Sequence, residues 1–275
     1  MSTQSASVLY DVPGPRARTR NRILGLLGLV GIAGLIWLVV SNLADAGQFD
    51  SALWSPFEYT GVQQRLLNGA LATLKAFGLA AVGSLVLGSL LAVGRLSDHF
   101  PVRVASTVVV QFFRAMPLVI MVFALYRAAF GAQPMWALVI ALTLYNGAVQ
   151  AEVIRAGIHA VPRGQAEAAY ALGLRKTQVM GIVLVPQAVR SMLPAIIGQL
   201  VTTLKDTSLG YIITFPELLW QMKIIASNSD GYPYIPVFLI GAPIYIGLCV
   251  ALSGLATWLE SRSRRGATRR STTAA

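Results

Sequence analysis

Six apolar stretches, 23–40, 66–94, 104–130, 135–154, 184–213 and 237–258, alternate along the chain with short segments rich in charge, proline and glycine. A helix rises about 1.5 Å per residue and the hydrocarbon layer is about 30 Å thick, so each stretch is long enough to cross it. The pattern predicts an all-α membrane protein of six spans. The run from Ile23 to Val40 exceeds the apolar core of a signal peptide, roughly 7 to 15 residues, and reads as a retained helix. Ala44-Asp45-Ala46 resembles a small-residue cleavage site, so processing after Ala46 stays open; it would leave the remaining topology unchanged.

Polar punctuation orients these spans. Residues 41–60 hold Asp45, Asp50 and Glu58, aromatic Phe49, Trp54, Phe57 and Tyr59, and no Lys or Arg, as an external interfacial segment should. The span 66–94 carries Gly78, Gly83, Ser84, Gly88 and Ser89, which let helices approach closely in lipid, and is expected inside a bundle. Pro117 predicts a kink within 104–130. Pro186 and Pro194 predict a break or bend in 184–213, and 214–236, with Glu217, Asp230 and three prolines, reads as an external loop. Arg16–Arg22, Arg95 with Arg103, Arg155–Lys176 and Arg262–Arg270 then all fall on one side, which puts both termini in the cytoplasm.

Composition narrows the class. Of 275 residues 55% are hydrophobic and only 12% charged, against about a quarter in soluble domains. The net charge of +11 would suit nucleic acid, but the basic residues cluster between apolar runs, where topology explains them, so no nucleic-acid partner is expected. Cys249 stands alone in an apolar run and reads as a small buried side chain; no metal site is expected.

The segment 160–183 breaks the pattern, because Pro162, Arg163, Gly164, Gln165, Glu167, Arg175, Lys176 and Gln178 would be costly in hydrocarbon. Pro162 suits a helix start, Glu167 a first helical turn, and Gly173 a left-handed corner before a second helix near Arg175. Ala168, Ala169, Ala171, Leu172 and Leu174 would give this hairpin an adhesive face.

Glu167-Ala168-Ala169, Gly173 and Pro186, with Val183 and Val185 for the usual Ile and Leu, resemble the cytoplasmic signature of permease subunits of binding-protein-dependent ABC importers. Glu152, Arg155, Gly157, Pro162, Gly164, Gln165, Gln187, Lys205, Asp206, Thr207 and Ser208 resemble its polar amino acid branch. The segment 112–117 is similar to that branch's Phe-Phe-Arg-Gly-Thr-Pro, with Ala115 and Met116 departing from it. Overall the chain is similar to glutamate permeases of actinobacterial type. The resemblance covers about 62–260. It implies a type I importer permease fold, a five-helix core preceded by one additional transmembrane helix. The organisation expected is a basic tail over 1–22, the added helix 23–40, an external segment 41–65, a transmembrane domain 66–260 with the coupling hairpin 160–183, and a basic tail 261–275.

The resemblance further implies that Gly164, Glu167, Ala168, Ala169, Gly173 and Pro186 seat the hairpin in a groove of a cytoplasmic ATPase dimer and receive its force. No Gly-x-x-x-x-Gly-Lys-Ser/Thr loop occurs, so ATP and Mg²⁺ are expected on that partner and no cofactor on this chain. An extracytoplasmic amino acid binding protein and a second permease are the other implied partners; the second permease is a related subunit, favoured, or a second copy. Pro186 and Pro194 are where the motion would be steered or absorbed.

Counted from the predicted helix ends, Lys75, Arg114, Asn146 and Lys205-Asp206 all fall on the order of 12 to 16 Å deep, one polar level near the midplane. Thr207 and Ser208 add hydroxyls. Cationic excess at that level favours an anionic ligand, with Asp206 for an ammonium group, hence glutamate or aspartate, or else another polar amino acid such as glutamine. Each residue has the alternative of pairing between helices. An intramembrane enzyme is disfavoured because His99 and His159 are cytoplasmic and no His-Glu-x-x-His or Gly-x-Ser-x-Gly occurs. A passive channel needs no docking hairpin, and a purely structural subunit needs no polar groups at mid-depth.

Overall fold

The computed structural model describes residues 14–229 and 232–272. The N-terminal tail to Pro13, Asp230 with Gly231, and the last three residues lie outside them. The chain divides into a unit ending at Trp54 and one beginning at Ser55. The first holds α1 (Pro15–Asp45), an apolar helix none of whose residues is buried.

The second unit is helical among its described residues. After a 3-10 stretch, Ser51–Glu58, that straddles the boundary, α2 (Thr60–Arg95) runs the full height, and α3 (Phe100–Ala115) and α4 (Leu118–Ala128) follow. Next come α5 (Pro134–His159), α6 (Arg163–Ala171), α7 (Lys176–Gln178), a π-helical turn (Val179–Leu184), α8 (Val185–Asp206) and a 3-10 turn (Thr207–Ile213). The chain ends with α9 (Leu218–Asn228) and α10 (Tyr234–Thr272). Five helices are long and apolar enough to cross a membrane, and six spans result when α3 and α4 count as one broken span.

The pair α2 and α5 is the spine of the bundle. Gly88 makes its closeness possible: a Cβ there would stand 2.7 Å from Gln150 Cβ and 2.9 Å from the Gly147 carbonyl. Ala92, Val110, Ala148 and Ala151 pack beside this contact, and Ala76, Ala80, Leu138, Leu142, Val122 and Ile213 form the main core further outward. The span 66–94 thus lies inside a bundle as expected, although Gly78 faces open space.

Three expectations change. The kink at Pro117 is a 98° break between α3 and α4. Met116 and Pro117 are both extended, with ψ of 127° and 126°, because a residue before proline is pushed out of the helical region and the ring removes a donor. The 184–213 span instead begins at Lys176: α7, the π turn, α8 and the 3-10 turn form one helix of 38 residues to Ile213 that continues through both Pro186 and Pro194, with the π turn lying just before Pro186, whose ring offers no N–H to the preceding turn. The external loop contains α9. It is capped by the Glu217 carboxylate, which accepts from Leu219 N at 2.8 Å and Trp220 N at 2.9 Å, and it docks on α2, where Leu218 N donates to Thr73 Oγ1.

Candidate functional site

The corner of the cytoplasmic hairpin forms because Gly173 adopts φ +78°, where L side chains are strained, and its N–H bonds the Tyr170 carbonyl while Leu174 N–H reaches the Ala169 carbonyl. This paired closure terminates α6 and aims the chain into α7. Arg175 N donates to Gln178 Oε1 at 2.9 Å, opening the second arm. Lys176 Nζ bonds the Leu96 carbonyl at 3.2 Å and pairs with Asp98, whose carboxyl it holds below the ordinary value. The second arm is therefore tied to the inner end of α2.

Gly164, Glu167, Ala168 and Pro186 are exposed, as are Tyr170 and Leu172, the last at 83%. Ala169 is buried, so it belongs to the support beneath the hairpin rather than to its outer surface. Glu167 falls in the second turn of α6, not the first, because the helix already begins at Arg163.

The polar residues do not share one level. Register between the parallel helices α2 and α5 is set by Gly83 against Thr143 and Gly88 against Gly147, so Asn146 lies beside residues 84–87 of α2. Lys75 is then about 16 Å further out. Gln199 Nε2 donates to Asn146 Oδ1 at 2.7 Å, which places Lys205, six residues on, about 9 Å outward of Asn146. Arg114 is drawn inward instead: its Nη1 stands 3.9 Å from Glu152 Oε2, and Glu152 is also paired with Arg95, the last residue of α2. Helix ends taken from hydropathy misplaced these depths because α2, α5 and the 176–213 helix overshoot the hydrocarbon layer by different amounts.

Facing also separates them. Lys75, Arg114 and Lys205 are exposed, Asp206 and Ser208 half-buried, Asn146 and Thr207 fully buried. Lys205 and Asp206 form no ion pair among the described residues. The Thr207 hydroxyl is spent on the Leu204 carbonyl at 2.6 Å, and Tyr245 OH bonds the Leu204 and Lys205 carbonyls at 2.8 and 3.0 Å. Tyr245 escaped the sequence reading, as did Gln150, which is buried one turn below Asn146 on the same face and whose Nε2 reaches the Ile196 carbonyl at 3.5 Å. The i, i+4 spacing of Asn146 and Gln150 was a usable signal.

One face of α8 carries a feature that spacing reveals only once the helix is known to be continuous. Gln187, Ser191, Pro194, Gly198, Thr202 and Lys205 are all exposed and share one narrow arc. This stripe of small and polar residues runs about 27 Å, close to the hydrocarbon thickness. A face of that character against lipid tails would be unfavourable, so it fits water or another protein chain.

A family model described as "Binding-protein-dependent transport system inner membrane component" matches residues 84–265. The chain is 37% identical to the glutamate transport system permease protein GluD of Corynebacterium glutamicum, over 83% of this chain and 86% of that one. It is 34% identical to a probable glutamine ABC transporter permease protein, GlnP, of Bacillus subtilis, with 72% and 93% covered. Its fold superposes on a crystal structure of an amino acid ABC transporter with histidines, TM-score 0.68 at 31% identity, covering 76% of this chain and 97% of that one. Inward-facing MetNI methionine transporter structures, at 18% identity and TM-scores of 0.61 and 0.63, share the fold. Spans, helical hairpin and these likenesses agree: the chain belongs to the binding-protein-dependent ABC importer permeases, as an amino acid permease subunit of the bacterial inner membrane.

Proposed function

We propose that this subunit passes an acidic amino acid, glutamate or aspartate, through a path walled on one side by the exposed stripe of α8. The stripe carries the reading: it runs from the inner end of the bundle outward past Asn146, ends in Lys205, and has its polar side chains turned away from the bundle. Lys205 at the outer end and Arg114 toward the inner end supply cationic groups for a carboxylate, with Asp206 beside Lys205 for the ammonium group. The relative with a glutamate name supports an acidic substrate; the glutamine name makes glutamine the competing one.

The exposed surface of α6, with Glu167, Ala168 and Leu172, seats in an ATPase dimer that holds ATP and Mg²⁺, and a binding protein delivers the amino acid from outside. The second half of the path comes from a related permease rather than from a second copy of this chain. Support for these partners is the family membership together with the unpartnered stripe. Uptake of labelled glutamate by the reconstituted importer, competed with aspartate and glutamine, tests the substrate. Lys205→Gln should lower acidic amino acid uptake about tenfold or more; unchanged transport overturns the site, and stronger competition by glutamine than by aspartate overturns the acidic reading.

A further inference from the structure

At the inner end of the bundle, three guanidiniums from three helices converge on one carboxylate. Arg95 of α2 and Arg155 of α5 both pair with Glu152, the latter at 2.5 Å, while Arg114 of α3 reaches only 3.9 Å. Arg95 is 9% exposed and Arg114 39%. Arg155 Nε is buried without an acceptor among the described residues. Guanidinium stays protonated at any working pH, so the cluster holds two positive charges more than its single carboxylate cancels. The cluster stands about 10 Å from the inner end of α5, among the inner basic residues Arg95 and Arg155, so its excess charge is open to water or to an anion arriving along the path.

Arg114 is the member with capacity to spare. It is the most exposed, its distance from Glu152 falls short of the paired geometry guanidinium makes with a carboxylate, and it sits on the last turn of α3, just before the 98° break. We propose that Arg114 takes the carboxylate of the transported amino acid at the inner end of its path, and that Glu152 then reclaims Arg114, so that the amino acid is released toward the cytoplasm. Arg95 and Arg155 hold Glu152 in place for this exchange and are positioning residues. The inference rests on the reading of the chain as an amino acid permease. Every amino acid has an α-carboxylate, so it stands whichever one is carried.

The complete importer, reconstituted in liposomes loaded with the amino acid that the wild type takes up, gives the test. Internal amino acid should inhibit ATP-driven uptake by the wild type. Arg114→Gln should abolish that inhibition, Arg114→Lys should retain part of it, and Glu152→Gln should deepen it about tenfold while lowering kcat without raising KM. Should Glu152→Gln fail to assemble, the two Arg114 variants decide alone. Unchanged internal inhibition in an assembled Arg114→Gln importer overturns the proposal, as does activity that follows only the anionic lipid fraction, which would make a lipid phosphate the anion. Absence of glutamate uptake by the wild type would instead sink the acidic reading and leave this assay usable with another amino acid.

Discussion

At Gly88 a single hydrogen atom separates a stable helix pair from a collision, because any Cβ would press on the Gly147 carbonyl and on Gln150. Gly88→Ala should destabilise the subunit by about 1–3 kcal/mol, the usual overpacking cost, and lower its Tm in detergent. Gly78→Ala, which meets open space in a helix, should leave Tm unchanged or raise it. Glu217 offers a second test at this scale. Burial pushes its carboxyl up to about 7 despite the two backbone N–H bonds it accepts. An acid raised in the folded state binds its proton where the unfolded chain has lost it, so stability should fall as pH rises from about 4.5 to about 7 and then level off. Thermal melts across that window should show the slope in the wild type and lose it in Glu217→Gln. Both glycines were visible in the sequence as small residues; which of them touches a neighbour depends on helix facing. Glu217 could not be read as a cap because the prolines and charge around it resemble those of a solvated loop.

Elements were legible where apolar length decided them and obscure where turn geometry did. The spans stand out because hydrocarbon demands long apolar runs, and Gly173 was placed correctly because left-handed backbone strongly favours glycine. The helix α9 was missed: its 11 residues are too few to span, and Pro216, Pro233 and Pro236 bracket it. The π turn is likewise silent in sequence. It inserts an extra residue between hairpin and α8, and a cavity of about 710 Å³ lies against Met180, Gly181 and Val189. Deleting Gly181, whose missing side chain would meet nothing, should convert the turn to α-helix and rotate the hairpin about 100° relative to α8. Expected is a subunit with unchanged or higher Tm whose ATP-driven uptake is reduced more than about tenfold; normal uptake would show that hairpin orientation is not critical.

For the molecule as a whole, topology is testable without transport. In a Cys249→Ser background, a cysteine at Ala132 should react with a membrane-impermeant maleimide applied outside intact cells, and one at Ser97 only after permeabilisation. Labelling of Ser97→Cys in intact cells would invert the assignment. Leu71, Leu79, Val82, Val86 and Val93 leave much of α2 exposed opposite its buried face, so lipid or another subunit must cover it. The order of spans was readable because lipid acts on long apolar segments. The depth of Lys75, Arg114 and Lys205 was not, since depth depends on overhang and register, which only packing fixes.

The helix from Lys176 to Ile213 is a stiff rod of about 57 Å. Under the coupling proposed above, a push on the hairpin would travel along this rod toward the outer 3-10 turn. The π turn near its base and Pro194 within α8 are its weaker joints. Leakage, the idle consumption of ATP without cargo, would then be governed by how firmly six residues, Val179–Leu184, resist being rewound.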